Sequence, residues 1–408
     1  MVLGQMKWEM SMVKMGGKPF FSALSIVFCS APACQLEQRG SVFANSMVLE
    51  EYLNVWPTQV LQPRLQKLQS QNLQLQKDLR HWIQVSNSGE VVLRQQQNLL
   101  QEDWRQLMLS WQELEVMQFE ALGSSLEIVA GRDLRDEIYS WPNHNPCLLD
   151  QVIAHRSFDH PEFWSNPQPL NPGLAVYGLD ALEYLLFSDA TSACPSQVSP
   201  ISDGLWVSLG SEKVRQYKME YALQVAQHLH HSFEILEQSW QHGFSIEQYR
   251  SKKEVLEMLL AGMLYLDTHS KDLKLGRPLG LMDCSSSDCH LEVEGYFANV
   301  GSEWIAANMK GFQAIFFESQ PNLSDVLKDI GAESLAIDIG VQSDKVLQLC
   351  QNISDHHASE AMSVALQANP EPYVELHQAL VDLNAVLKWQ LAPLLQLDIP
   401  TDAAGDND

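Results

Sequence analysis

Basic residues are scarce in this 408-residue chain: 26 Lys and Arg face 51 Asp and Glu, a formal charge of −25 at pH 7. That deficit excludes a nucleic-acid-binding role, because phosphate backbones are held by Lys and Arg that displace counterions. A Gly-rich phosphate loop, a Cys/His zinc spacing, a G-x-S-x-G elbow and a His-Glu-x-x-His pair are all missing. With them go the commonest nucleotide, zinc and hydrolase chemistries. No run of alternating apolar and polar residues marks a strand, and no apolar stretch reaches the ~20 residues of a membrane-spanning helix. Charged residues are only 19 % against 45 % hydrophobic, so the chain is not a disordered acidic polymer. At ~150 residues per domain the length predicts two to three folded units.

The N-terminus reads as an address. Lys7, Glu9, Lys14 and Lys18 give a net positive stretch, and the apolar run Phe20–Phe28 follows, ending at Ala31-Pro32-Ala33. This is the pattern of a secretory signal, with Met15 the tidier start. Cys34 directly after small residues is similar to a lipoprotein cleavage site, so lipidation of Cys34 is expected alongside plain cleavage; a buried N-terminal helix is the structural alternative. Of the seven cysteines, Cys284 and Cys289 flank a short Ser-rich loop, and Cys147 and Cys194 lie in loop-like sequence. Both pairs could bridge in an oxidising compartment, while Cys350 on a helical stretch suits a small buried hydrophobe.

The body is helical. Leu61, Leu65, Leu68, Leu75, Leu79 and Trp82 form one apolar stripe, and Leu100, Trp104, Leu107, Trp111 and Leu114 form another after the Ser-Asn-Ser-Gly turn at 86–89. Together they predict an antiparallel helical hairpin. A third long helix runs through Ala222–Trp240, a fourth over 246–274 with Ser245 and Gln248 at capping-box spacing, and a last through Tyr373–Leu394. Pro-rich linkers occupy 140–175 and 189–210. The expected architecture is all-α, with two helical-bundle-like domains over 48–205 and 206–398 after a 1–33 signal segment.

The chemistry-bearing stretch is Val176-Tyr-Gly178-Leu-Asp180-Ala-Leu-Glu183-Tyr184, opening a helix after the first Pro-rich linker. Asp180 and Glu183 share a helix face, and two carboxylates in a first turn are also what the positive end of a helix dipole favours for structural reasons. The stretch resembles the imelysin family, whose signature is Gly-x-His-x-x-Glu. Gly178 and Glu183 match it; Asp180 stands where the family has His. Trp104–Gly123, Ile138-Tyr-Ser-Trp141-Pro142, Lys274…Pro278-Leu-Gly280 and Glu294-Gly-Tyr296 through Asn308…Gly311 are similar to further family segments in the same order.

The resemblance implies a two-domain all-α fold, a periplasmic or outer-membrane-anchored location and a link to bacterial iron uptake. It also implies a site at Gly178, Asp180 and Glu183, with Asp180 and Glu183 as metal ligands for iron or another divalent metal. The family was named for peptidase activity. Replacing His by Asp shifts the ligand set toward harder cations, and Ala298 and Gly301 stand where family serines are expected, so binding is expected and catalysis is not. The expected partner is a metal, a metal complex or an envelope protein of iron transport, with membrane contact only through a lipid on Cys34. A metallopeptidase and a partner-binding protein without a small ligand are the alternatives. Among other imidazoles, His228 with His231, His155, His160 and His356-His357 are secondary candidates, His155 or His160 being placed to approach Asp180.

Overall fold

A computed structural model describes residues 46–126, 131–164, 174–241, 249, 251–357 and 360–404. The expected signal segment 1–33 and Cys34 lie outside the described residues. Among those residues the chain is helical and contains no strand.

The hairpin forms as the apolar stripes require. Helices α1 (Met47–Trp56), α2 (Gln62–Gln84) and α3 (Glu90–Glu115) lead the chain, followed by short α4 (Leu134–Ile138), α5 (Pro146–His155) and α6 (Leu179–Phe187). Next come α7 (Leu205–Ser239), α8 (Lys252–Met263), α9 (Glu303–Gln313), α10 (Leu323–Asp329), α11 (Glu333–His357), α12 (Met362–Ala368), α13 (Glu371–Val386), α14 (Ala392–Leu395) and α15 (Thr401–Ala404). Helix α7 is longer than its apolar stripe and kinks at Gly210 (φ 72°, ψ 161°). Helix α8 starts later than the Ser245 expectation. Its cap is Ser251, whose side chain accepts from the Glu254 backbone N–H at 3.3 Å, while 242–248 lie outside the described residues. The segment 294–300 is a turn; Gly295 there has φ 68°, and a Cβ on it would meet the Trp304 ring at 2.8 Å.

Helix α3 is the shared wall. It packs on α2 and α6 on one side and on α9 on the other, while α9, α11 and α13 pack in succession beyond. Helix α7, which opens the 206–398 half, runs along α2, α5 and α6 of the 48–205 half. One contiguous hydrophobic core spans both, filled by the fully buried Trp56, Trp104, Trp111 and Trp240. Aromatic pairing reinforces it: Trp104 lies 5.8 Å from Trp304 and 5.1 Å from Phe187, ring centre to ring centre. The α3–α9 crossing depends on Gly311, where a Cβ would fall 2.0 Å from the Glu113 carbonyl oxygen and 2.6 Å from Val116. Among the described residues four helices widen into π turns, the longest at Leu266–Gly276. Cys147 pairs with Cys194 and Cys284 with Cys289, and Cys350 is free and buried.

Candidate functional site

Gly178 sets the entry to α6. Its φ of 117° lies where a side chain is strained, and a Cβ would meet Asp180 Oδ1 at 2.8 Å and the Ile138 carbonyl at 3.0 Å. Two flanking helices pin the turn: Trp104 Nε1 of α3 donates to the Leu179 carbonyl at 3.0 Å, and the Tyr221 hydroxyl of α7 donates to the Val176 carbonyl.

Asp180 and Glu183, both buried, then face different partners. Asp180 accepts from Ser140 twice, from its hydroxyl at 2.7 Å and its backbone N–H at 3.3 Å, and so stays within the first half of the chain. Glu183 reaches into the second half. Its Oε1 accepts from the backbone N–H groups of Phe297 and Ala298 at 2.8 and 2.9 Å. The signature glutamate therefore fastens the 294–300 turn to α6.

Burial governs the charge of both groups. It raises Asp180 above the ordinary carboxylate range, against the Ser140 hydrogen bonds and the nearby His144. It pushes Glu183 up to about 8 despite the two backbone donors, and the neighbouring Asp180 and Glu294 charges add to the rise.

The imidazole that approaches Asp180 is His144, exposed and with its ring 6.4 Å from Phe297. His155 hydrogen-bonds Ser199 instead (3.2 Å) and His160 is exposed. His228 packs against Trp164 and Tyr177, and His231 lies 3.8 Å from Glu234. Among the described residues no three His, Cys, Asp or Glu are grouped to hold a metal ion.

Lys274, Glu294 and Asn308 lie in separate segments of the sequence, and the fold brings them together in one buried network. Lys274 Nζ donates to Gln112 Oε1 (2.5 Å), Glu115 Oε2 (2.8 Å) and Asn308 Oδ1 (2.9 Å), and pairs with Glu294 Oε2 at 3.0 Å. Glu294 Oε1 accepts from Gln112 Nε2 and from the Tyr139 hydroxyl, each at 2.9 Å. Arg135 approaches Glu115 at 3.6 Å. Burial works to raise Glu115, but Lys274 and Arg135 hold it below its ordinary value; Glu294, equally buried and facing Glu115, is raised. Gln112 and Glu115 sit on the same helix as Leu107, Trp111 and Leu114, and polar residues on a buried face are the one sequence signal that could have found them.

The family segments thus converge on a single polar core beside the Gly178–Glu183 turn. A family model for Imelysin matches residues 61–387. The chain belongs to the imelysin family. Its fold is similar to that of an imelysin-like protein from Psychrobacter arcticum 273-4, with a TM-score of 0.63 at 16 % identity over 86 % of this chain and 97 % of that one. It is also similar to a protein described as an iron-regulated protein A precursor from Parabacteroides distasonis ATCC 8503, with a TM-score of 0.59 at 14 % identity over 89 % of this chain and 95 % of that one. Comparison with curated proteins gives no match.

The metal that imelysin proteins imply meets a poor donor set as the residues stand. Asp180 is bonded through both oxygens to Ser140, and Glu183 is pushed by burial toward its protonated form and committed through Oε1 to two backbone donors. A metal held between them would have to displace a proton and recruit a further ligand.

Proposed function

We propose that this imelysin-family chain is an exported envelope protein that serves bacterial iron uptake by binding and not by peptide hydrolysis. The observation that carries this reading is the engagement of Glu183. A glutamate that holds the Phe297 and Ala298 N–H groups is a fastening between the two halves and is poorly free to activate water. The surface assigned to the ligand lies beside that fastening, where exposed His144 and Tyr296 flank Phe297. Iron or another divalent metal, free or as a complex, or an envelope partner of iron transport, is the ligand class. Family membership and the likeness to an iron-regulated precursor support the iron link, and the 1–33 segment supports export.

The test is genetic and chemical together. A deletion strain should grow poorly under iron limitation and normally in iron-replete medium. Complementation should survive Glu183→Gln, which keeps the fastening, and fail with His144→Ala combined with Tyr296→Ala. Chelator-sensitive cleavage of an unfolded protein that disappears in Glu183→Gln would overturn the reading. The mature protein should lack residues 1–33 and fractionate with the envelope; an intact Met1 or Met15 on cytoplasmic protein would refute export.

A further inference from the structure

Helices α11 and α13 pack side by side, and the Lys345–Asp382 pair at 3.3 Å sets an antiparallel register between them. Going on from 345 to 352 along α11 and back from 382 to 375 along α13, Asn352 comes opposite Glu375, and one turn further His356 comes opposite Glu371. There the two helices part around a groove of about 540 Å³, a size within the ~300–1,000 Å³ of ligand-binding clefts. The least exposed of its lining residues, Leu349, Ile353 and Pro372, are apolar and form its floor. Asn352, Asn369 and the two glutamates are exposed and form its rim, and no Lys or Arg lines it.

The carboxylates of this groove are left unanswered where those nearby are not. Elsewhere on the same two helices side chains engage one turn apart: Gln351 donates to Asp355 at 2.8 Å and Gln378 to Asp382 at 3.0 Å. Neither Glu371 nor Glu375 has an ion-pair or hydrogen-bond partner among the described residues. They stand four apart on α13, a spacing at which like charges face and repel each other. The helix N-terminus favours Glu371 in its first turn but reaches Glu375 less. On the other wall, Asn352 Oδ1 accepts from Gln348 at 2.9 Å, which leaves its amide hydrogens to donate. His356 donates its Nδ1–H to the Asn352 carbonyl at 2.7 Å, so the neutral ring offers Nε2 as an acceptor.

We propose that this groove docks an extended peptide segment of a partner protein that carries arginines at alternate positions. The spacing fits: residues four apart on a helix face lie ~5–6 Å apart at Cβ, and alternate residues of an extended chain lie ~6.6 Å apart on one side. Each guanidinium then meets one glutamate in planar, paired hydrogen bonds, while its aliphatic stem covers Leu349, Ile353 and Pro372. The Asn352 and Asn369 amides match the peptide backbone between the two arginines, which a free organic cation lacks. A formal charge of −25 draws a basic segment toward the chain. The groove shares no lining residue with the Asp180–Glu183 turn and does not rest on the role proposed for it.

The experiment is fluorescence polarisation of a fluorescein-labelled Gly-Arg-Ala-Arg-Gly peptide titrated with the full chain, at ~0.15 M ionic strength so that distant surface charges are screened. The expected result is saturable binding that weakens at least tenfold for Gly-Gln-Ala-Gln-Gly. The Glu371→Gln, Glu375→Gln double variant should also bind at least tenfold more weakly, and Asn352→Arg, which tethers a guanidinium opposite Glu375, should abolish binding. A Glu51→Gln, Glu212→Gln double variant removes the same charge from exposed positions outside the groove and should bind within twofold of wild type. All five substituted positions are exposed, so the core is untouched, and far-ultraviolet circular dichroism checks the fold of each variant. Equal weakening in the two double variants would mean that net charge alone is read. Butylguanidinium displacing the peptide as tightly as unlabelled peptide does would mean a site for small organic cations. Either result overturns the proposal, as does binding that fails to saturate or is unchanged in the folded Glu371→Gln, Glu375→Gln variant.

Discussion

Replacing Glu183 by Gln separates the fastening from the charge. Gln keeps an oxygen that can accept from the Phe297 and Ala298 N–H groups, now 2.8 and 2.9 Å from Glu183 Oε1, and removes the ionisation. In the folded chain burial raises Glu183 from 4.5 to about 8. The folded pKa is above the unfolded one, so between these values the folded state holds a proton that the unfolded state has lost. The contribution to stability is fully present below pH 4.5 and declines as pH rises to 8, by at most about 5 kcal/mol at ~1.4 kcal/mol per unit. Wild-type protein and Glu183→Gln should therefore have similar urea midpoints at pH 4.5. By pH 9 the variant should be the more stable by several kcal/mol, which would show as a clearly higher midpoint. Subtracting one pH profile from the other cancels the titrating groups that do not interact with Glu183, leaving its own contribution and its coupling to Asp180 and Glu294. Equal profiles from pH 4.5 to 9, or a variant weaker at pH 9 than wild type, would refute the argument that the buried glutamate is neutral when folded.

Three further expectations follow from packing and pairing. Gly311→Ala places a methyl group 2.0 Å from the Glu113 carbonyl, so α3 and α9 must separate; a loss of about 3 kcal/mol or more is expected in thermal or chemical denaturation, and a near-neutral result would contradict the close crossing. Lys274→Met leaves the buried carboxylates of Glu115 and Glu294 without their shared cation. It should cost about 3–5 kcal/mol, and replacing all three residues by apolar ones should recover much of that loss. The Cys147–Cys194 bridge closes a separation of 47 residues, worth about 4 kcal/mol by chain entropy; reduction or a Cys147→Ser, Cys194→Ser double variant should lower the urea midpoint accordingly, with Cys350→Ser as the control that leaves it in place.

The all-α class and the hairpin of α2 and α3 were legible in the sequence because a repeat at helical spacing is a local property. Leu61–Trp82 and Leu100–Leu114 each show an apolar face, and a turn-forming Ser-Asn-Ser-Gly separates them. The Gly178–Glu183 stretch was legible through its resemblance to a family signature, and loop placement made both cysteine pairs possible bridges, while the pairing itself was decided by the fold. Tertiary structure alone decided what those residues touch. Asp180 and Glu183 sit three apart on one helix face, yet one holds Ser140 and the other the Phe297–Ala298 backbone. That division follows from where α4 and the 294–300 turn dock, which no local pattern encodes. It was likewise His144, and not His155 or His160, that came near Asp180. The network of Gln112, Glu115, Lys274, Glu294 and Asn308 assembles from contacts separated by up to 196 residues. A buried charge is stable only through such distant partners, so its presence is written in the sequence while its meaning is fixed by the fold.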